Sequence, residues 1–266
     1  MISSIINNKY KVQEKLAEGS FGNVFKGYNI RTNEYVAIKV EPIEHNLKLI
    51  KNETIIYNYL KNLTGIPSVK WYGKDSLNYY MVIELLGNSL QQLKDKLGVF
   101  SLKVVLQIGI QILELLKIIH DKGLVHRDIK PDNFLFGLND MKSKLYIVDF
   151  GLCKPFIENE KHIQMKKTNN IIGSYSYASV NAHNHLELSR RDDLESLFYM
   201  LVYFVVGTLD WQKLTIDKKD YIKIMKMNIL NNPNIPLELV NYMNYIKKLN
   251  FEETPDYNYL INVLRQ

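Results

Sequence analysis

The chain has 266 residues, 46% hydrophobic, 11% aromatic and 23% charged, with 13 glycines and 7 prolines. This excludes bulk disorder, collagen-like sequence and a coiled coil, and the length allows one large domain or two lobes sharing a core. The single cysteine excludes an internal disulfide and a multi-cysteine zinc site, so a reducing compartment is expected. The net charge of +6 reads as a lysine-biased, solvated surface. No segment joins a dense basic run to interleaved aromatics, so no specific nucleic-acid partner is expected. The N-terminal stretch lacks the basic-then-apolar layout of a secretory signal. The most apolar run, Leu197 to Leu209, falls short of the ~20 residues that span a bilayer. A soluble, intracellular, membrane-free protein is the expectation.

In chain order, strands are expected first. Tyr10 to Leu16 leads into a glycine turn, Asn23 to Tyr28 leads out, and Tyr35 to Val40 follows the turn-forming Arg31-Thr32-Asn33. Leu47, Ile50, Thr54, Tyr57 and Leu60 recur at helical spacing. Tyr79 to Leu86 reads as a buried strand, broken at Leu86-Gly87-Asn88. Helices dominate beyond. Ser101 can cap a helix to His120 whose stripe of Val104, Ile108, Ile112, Leu115 and Ile119 belongs to a core. Ser189 or a neighbour can cap another helix running through Asp193 to Val206. The fold class expected is α+β and bilobal, with a small β-rich lobe carrying one helix and a larger helical lobe.

Three segments carry chemistry. Gly19-Ser20-Phe21-Gly22-Asn23-Val24 lies between two strands, where glycines let a hairpin backbone approach phosphate oxygens; Ala17 occupies the first glycine position of the full pattern. Val36-Ala37-Ile38-Lys39 follows, and Glu53 on the next helix can pair with Lys39, fixing a positive charge that neutralises nucleotide phosphates. The most specific segment is His126-Arg127-Asp128-Ile129-Lys130-Pro131-Asp132-Asn133, with Asp149-Phe150-Gly151 after the strand Tyr146-Ile147-Val148. There Asp128 can orient a substrate hydroxyl and accept its proton, and Lys130 can stabilise the transferring phosphoryl group. Asn133 and Asp149 are hard oxygen ligands for Mg2+.

With these motifs in order, the chain resembles the eukaryotic protein kinases from about Tyr10 to Leu264, and casein kinase I in particular. The residues that carry the narrower resemblance are Glu84-Leu85-Leu86-Gly87 with Ser89-Leu90, His126 through Leu135, Tyr177-Ala178-Ser179-Val180-Asn181, and Ser189 through Leu197. It implies one kinase domain over 1–266: an N-lobe to about residue 83, a hinge at about 84–89, a C-lobe from about 90, and an activation segment at about 149–181. It also implies ATP and Mg2+ as cofactors, and Ser/Thr transfer, which Lys130 supports. Asp128 and Lys130 would be catalytic, and Asn133 and Asp149 would bind metal. ATP would meet Ala17, Glu18, Gly19, Ser20, Phe21, Gly22, Val24, Ala37, Lys39, Glu53, Ile83 as gatekeeper, Leu135 and Asp149, with backbone groups of Glu84 and Leu86 offered to adenine. Asp193 would brace the catalytic loop through its backbone. Arg127 receives an activation-loop phosphate in most kinases, whereas the casein kinase I resemblance implies constitutive activity. Partners would be protein substrates, acidic ones by preference, acted on by a monomer in the cytoplasm or nucleus, or in a host cell's cytoplasm.

The chain also departs from that pattern. Ser176 stands where relatives carry an arginine that reads acidic or primed substrates, though Lys154, Lys161, Lys166, Lys167 and Lys226 keep the region basic. Phe198 stands where relatives usually carry glycine, the stretch from Trp211 to Phe251 looks shorter than in relatives, and the sequence stops at Gln266, before the position of the family's final C-lobe segment and regulatory tail. Cys153 reads as a small packing residue or a handle for an electrophile, and His162, His183 and His185 read as surface histidines. The alternatives to an active kinase are a pseudokinase scaffold that regulates a partner, against which Lys39, Glu53, Asp128, Asn133 and Asp149 together argue, and a small-molecule kinase, against which Lys130-Pro131 argues.

Overall fold

The computed structural model describes residues 4–19, 22–45 and 49–266. The chain forms two compact units, one of Met1–Asn88 with Leu135–Gly151 and the other of Ser89–Phe134 with Leu152–Gln266. Together they are the two lobes of an α+β fold, a sheet-rich N-lobe and a helical C-lobe.

In the N-lobe, β1 (Ile5–Ile6), β2 (Tyr10–Gly19), β3 (Gly22–Asn29), β4 (Tyr35–Pro42), β5 (Val69–Lys74) and β6 (Asn78–Glu84) form one antiparallel sheet in the order β1-β2-β3-β4-β6-β5, with α1 (Leu49–Tyr59) between β4 and β5. Alternation along β4 explains its two faces. Val36, Ile38 and Val40 enter an apolar cluster with Ile6, Tyr10, Tyr80 and Val82, which leaves Ala37 and Lys39 on the other face. On α1 the helical spacing buries Ile50, Thr54 and Tyr57, and Glu53 with them; Leu47, the first residue of that stripe, lies outside the described residues.

The C-lobe starts with α2 (Leu90–Leu97), capped reciprocally by Ser89 and Gln92, and α3 (Leu102–Asp121), followed by β7 (Leu124–Val125). The α3 stripe is wider than expected: Ile108, Ile112, Leu115 and Ile119 are buried as expected, Val104 is exposed, and Val105, Leu113 and Leu116 are buried as well. Two other helices pack on α3, which broadens the face it buries. Gly109 lies under both, since a Cβ there would stand 2.9 Å from Leu264 and 3.1 Å from Leu201.

The chain then returns to the N-lobe through β8 (Phe134–Phe136) and β9 (Leu145–Ile147), which pair with each other. Residues 135–151 group with the sheet unit, held there by local hydrogen bonds: the Gly87 amide donates to Phe136 O at 2.8 Å, the Phe136 amide to Asn88 O at 3.1 Å, and the Ile147 amide to Gly65 O at 2.9 Å.

Back in the C-lobe, β10 (Lys154–Pro155) pairs with β7, and β11 (Ile157–Glu158) with β12 (Lys161–His162). The helices α4 (Val180–His183), α5 (Arg190–Val206), α6 (Lys219–Met227), α7 (Leu237–Ile246) and α8 (Tyr257–Arg265) complete it. At the start of α5 the Asp192 carboxylate accepts the Ser189 amide at 2.8 Å. That helix is buried on every side from Asp192 to Phe204, so Phe198, fully enclosed, fills core volume.

One histidine expected at the surface is not there: His183 is buried at the end of α4. His162, half-buried, packs between Phe156 and Phe251, with Nδ1 donating to Ile163 O at 2.8 Å. Burial, aided by the charge of Lys226, lowers the His183 pKa from 6.5 to about 4. The fold therefore holds His183 neutral where the unfolded chain binds a proton, so stability falls as pH drops from 6.5 to about 4. We expect His183→Asn to flatten this acid limb in melting temperatures recorded across that range; an unchanged pH slope would assign the loss to other groups.

Candidate active site

In the N-lobe, strand register assembles the first group. Val24 pairs with Lys39, Lys39 with Met81, and Ala37 with Ile83. Cross-strand partners share a face, so Val24, Ala37, Lys39 and Ile83 lie together on the face opposite the apolar cluster. The helix α1 covers part of it, its Thr54 hydroxyl contacting Met81 Sδ at 3.3 Å. Lys39 Nζ stands 2.7 Å from Glu53 Oε2 and 2.7 Å from Asp149 Oδ1. Burial alone would lower the Lys39 pKa; Glu53 and then Asp149 override it and raise it above that of an ordinary lysine. Burial in turn pushes the Glu53 carboxyl up to about 7 against the pull of Lys39. Asp149 itself has φ of +67°, unusual for a non-glycine residue, and its amide meets the Tyr57 hydroxyl at 3.2 Å, while the Tyr57 ring stands edge-on to Phe150 at 4.9 Å.

Ala17, Glu18, Gly19 and Gly22 flank the hairpin tip, Ala17 facing Val24 and Gly19 facing Gly22 across the strands; Ser20 and Phe21 lie outside the described residues. Leu86 and Leu135 are half-buried. The Glu84 amide is committed to Ser68 O at 3.0 Å, so the Glu84 group able to meet a ligand is its carbonyl.

In the C-lobe, the second group centres on a carboxylate that touches no substrate. Asp193 Oδ2 accepts the His126 amide and Oδ1 the Arg127 amide, both at 2.8 Å, and Oδ2 also meets His120 Nε2 at 2.9 Å. Burial would raise the Asp193 pKa, but the hydrogen bonds and charges of His120 and His126 together outweigh it and hold the carboxyl below its usual value. This holds Arg127 at φ of +69° and fixes the direction in which Asp128 leaves the loop. Asp128 Oδ2 accepts Lys130 Nζ at 2.7 Å and Asn133 Nδ2 at 3.3 Å; Oδ1 accepts the Ser174 amide at 3.0 Å and hydroxyl at 2.8 Å. Gly173, with φ of +88°, permits that approach, because a Cβ would stand 2.5 Å from Arg127 O.

Other expected residues separate. Burial pushes the Cys153 thiol up to about 12, which suits packing and leaves little thiolate for an electrophile. Of the five lysines expected to make the region basic, Lys154 is bound to Glu187 at 2.7 Å and Lys226 is fully buried; Lys161, Lys166 and Lys167 are exposed. Ser174, Tyr57, His120 and Glu187 were not anticipated. Only Ser174 had a sequence signal, its place directly after Gly173 near the end of the segment. The other three are single residues whose partners lie far along the chain.

Residues 179–181 and the start of α5 contact each other. Asp192 Oδ1 accepts the Ser179 hydroxyl at 2.7 Å and Asn181 Nδ2 at 2.9 Å, and Glu195 Oε1 accepts the Val180 amide at 2.8 Å.

A family model for the protein kinase domain matches residues 10–256, and the chain belongs to that family. It is a phosphotransferase that uses ATP on protein substrates. The match ends just before α8, whose Tyr257 hydroxyl nevertheless meets His120 Nδ1 at 2.5 Å and so supports the Asp193 network from outside the matched region. Among the described residues no helix is long and apolar enough to cross a membrane. None of their His, Cys, Asp and Glu side chains form a group of three or more able to hold a metal. A carboxylate and an amide oxygen supplemented by phosphate oxygens and water suit Mg2+, which rarely takes an all-protein cage. The Asn133 amide nitrogen already donates to Asp128 O at 2.8 Å, so its oxygen is the end available as ligand.

We expect Asp193→Ala to cost about 3–5 kcal/mol in urea unfolding, because it strands buried donors on His126, Arg127 and His120. A loss below about 1 kcal/mol would mean water replaces the carboxylate.

Proposed function

We propose that the chain is a serine/threonine protein kinase of the casein kinase I type, active without activation-loop phosphorylation and favouring acidic substrates. The observation that carries the reading is the set of hydrogen bonds around Asp128. Both carboxylate oxygens are oriented by donors, with Lys130 beside one and Ser174 on the other. A carboxylate so held accepts a hydrogen bond from a serine or threonine hydroxyl and takes its proton as the oxygen attacks phosphorus. Lys130 balances charge beside it, and Lys39, fixed by Glu53, neutralises phosphate oxygens. Asn133 and Asp149 would hold Mg2+, which would supply further charge neutralisation on the phosphates when bound.

Constitutive activity is supported by Glu187. This buried carboxylate lies 3.6 Å from Arg127 and 2.7 Å from Lys154, so the cationic groups that await a phosphate in many kinases already have an anion. The exposed Lys161, Lys166 and Lys167 support the acidic preference.

The test is transfer of labelled γ-phosphate from Mg-ATP to casein and to an acidic peptide, followed by phosphoamino-acid analysis. Label on serine or threonine is expected, with Asp128→Asn slower by about a thousandfold and Asp149→Asn inactive while both still fold. Label on tyrosine, or Asp149→Asn turning over normally, would refute the specificity or the metal assignment respectively. Ser176→Arg should raise the preference for phospho-primed peptide over unprimed; an unchanged ratio removes Ser176 from substrate reading.

A further inference from the structure

The least expected group in the C-lobe is Lys226. It lies on α6 with no exposed surface, yet it is a lysine. Lysines are almost never fully buried unless the ammonium is bound on several sides. Here Nζ donates to Tyr175 O at 2.9 Å and to Ala178 O at 2.5 Å, and it stands over the rings of Tyr199 at 4.8 Å and Trp211 at 5.4 Å. Burial lowers its pKa to about 7, and the charge of Glu195 on α5 opposes that.

The two carbonyls belong to the short segment that also touches Asp128. From one end, Ser174 is fixed to Asp128 through its amide and hydroxyl. In the middle, Trp211 Nε1 donates to Ser176 O at 2.8 Å. At the other end Lys226 joins the carbonyls of Tyr175 and Ala178. The carbonyls of three residues between 175 and 178 are thus taken by side chains from α6 and the stretch after α5, not by another strand or helix. The Tyr177 and Ala178 amides close a turn on Ser174 O at 2.9 and 2.8 Å, and the side chains on its carbonyls hold that turn in place.

We infer that Lys226 is a positioning residue that fixes the substrate-binding end of the activation segment, so that recognition of the peptide, and not of ATP, depends on it. The inference rests on the kinase reading of residues 174–181 as the protein-binding segment. Removing the ammonium would free two buried carbonyls and let the segment drift, while Lys39, Glu53 and Asp149 are in the other lobe and keep their own contacts.

The experiment compares the native chain with Lys226→Met and Lys226→Arg, using an unprimed acidic peptide and Mg-ATP, with amide hydrogen exchange followed over residues 173–181. We expect Lys226→Met to raise the peptide KM about tenfold, to leave the ATP KM within about twofold, and to speed exchange at Tyr177 and Ala178. Lys226→Arg should recover part of the peptide KM. Unchanged peptide KM and exchange would overturn the inference. So would equal losses toward peptide and ATP, or faster exchange throughout the C-lobe, because either makes Lys226 a stability residue only. Should Lys226→Met fail to fold, Trp211→Phe, which loses one carbonyl contact of the same segment, is expected to move peptide KM and exchange the same way by a smaller factor; no movement overturns the inference. If the native chain transfers no phosphate to any peptide, the kinase reading fails and the inference with it, and exchange then records a structural tie alone.

Discussion

Everything in the C-lobe half of the site depends on one buried carboxylate accepting two successive backbone amides. Asp193 is enclosed, yet stays ionised because His120 and the amides of His126 and Arg127 converge on it. A carboxylate in this setting is stable only if every donor is in place, since burying a charge without partners is far more costly than pairing it. The geometry is therefore close to all-or-none. The loop carrying Asp128 is fixed to α5 from below, and α8 adds a further support through Tyr257 and His120.

The N-lobe solves a related problem differently. Its charges are brought together chiefly by side chains: strand alternation and a helix place Lys39, Glu53 and Asp149 in contact. Because Ala37 and Lys39 alternate with Val36, Ile38 and Val40, the same strand supplies the apolar cluster on one face and the ion triad on the other. Stability and chemistry are thus divided between odd and even positions of a single strand.

These differences decide what the sequence made legible. The period of two in β4, the helical spacing of α1 and the ordered motifs around Asp128 are local patterns, so the bilobal fold and the pairing of Lys39 with Glu53 could be read directly. The widening of the α3 stripe to Val105, Leu113 and Leu116 could not, because it is set by how many helices pack on α3, and no helix encodes its neighbours. The buried state of Lys226 and His183 was equally hidden. A lysine or a histidine in an amphipathic stretch reads as surface unless the carbonyls or rings that enclose it are known, and those come from distant parts of the chain. Glu187 is the same case: its meaning lies in Arg127 and Lys154, not in its neighbours.

The lock between residues 179–181 and α5 has an evolutionary reading. Ser179, Val180 and Asn181 find their partners in Asp192 and Glu195, so neither stretch can drift without the other. Replacing Ser179 and Asn181 by residues without donors would leave the buried Asp192 short of two hydrogen bonds. The two stretches are in effect a single heritable cassette separated by a loop. Hybrids between this chain and other kinases should be joined outside residues 178–195, and among descendants of such a chain, substitutions on the two sides should arrive in pairs.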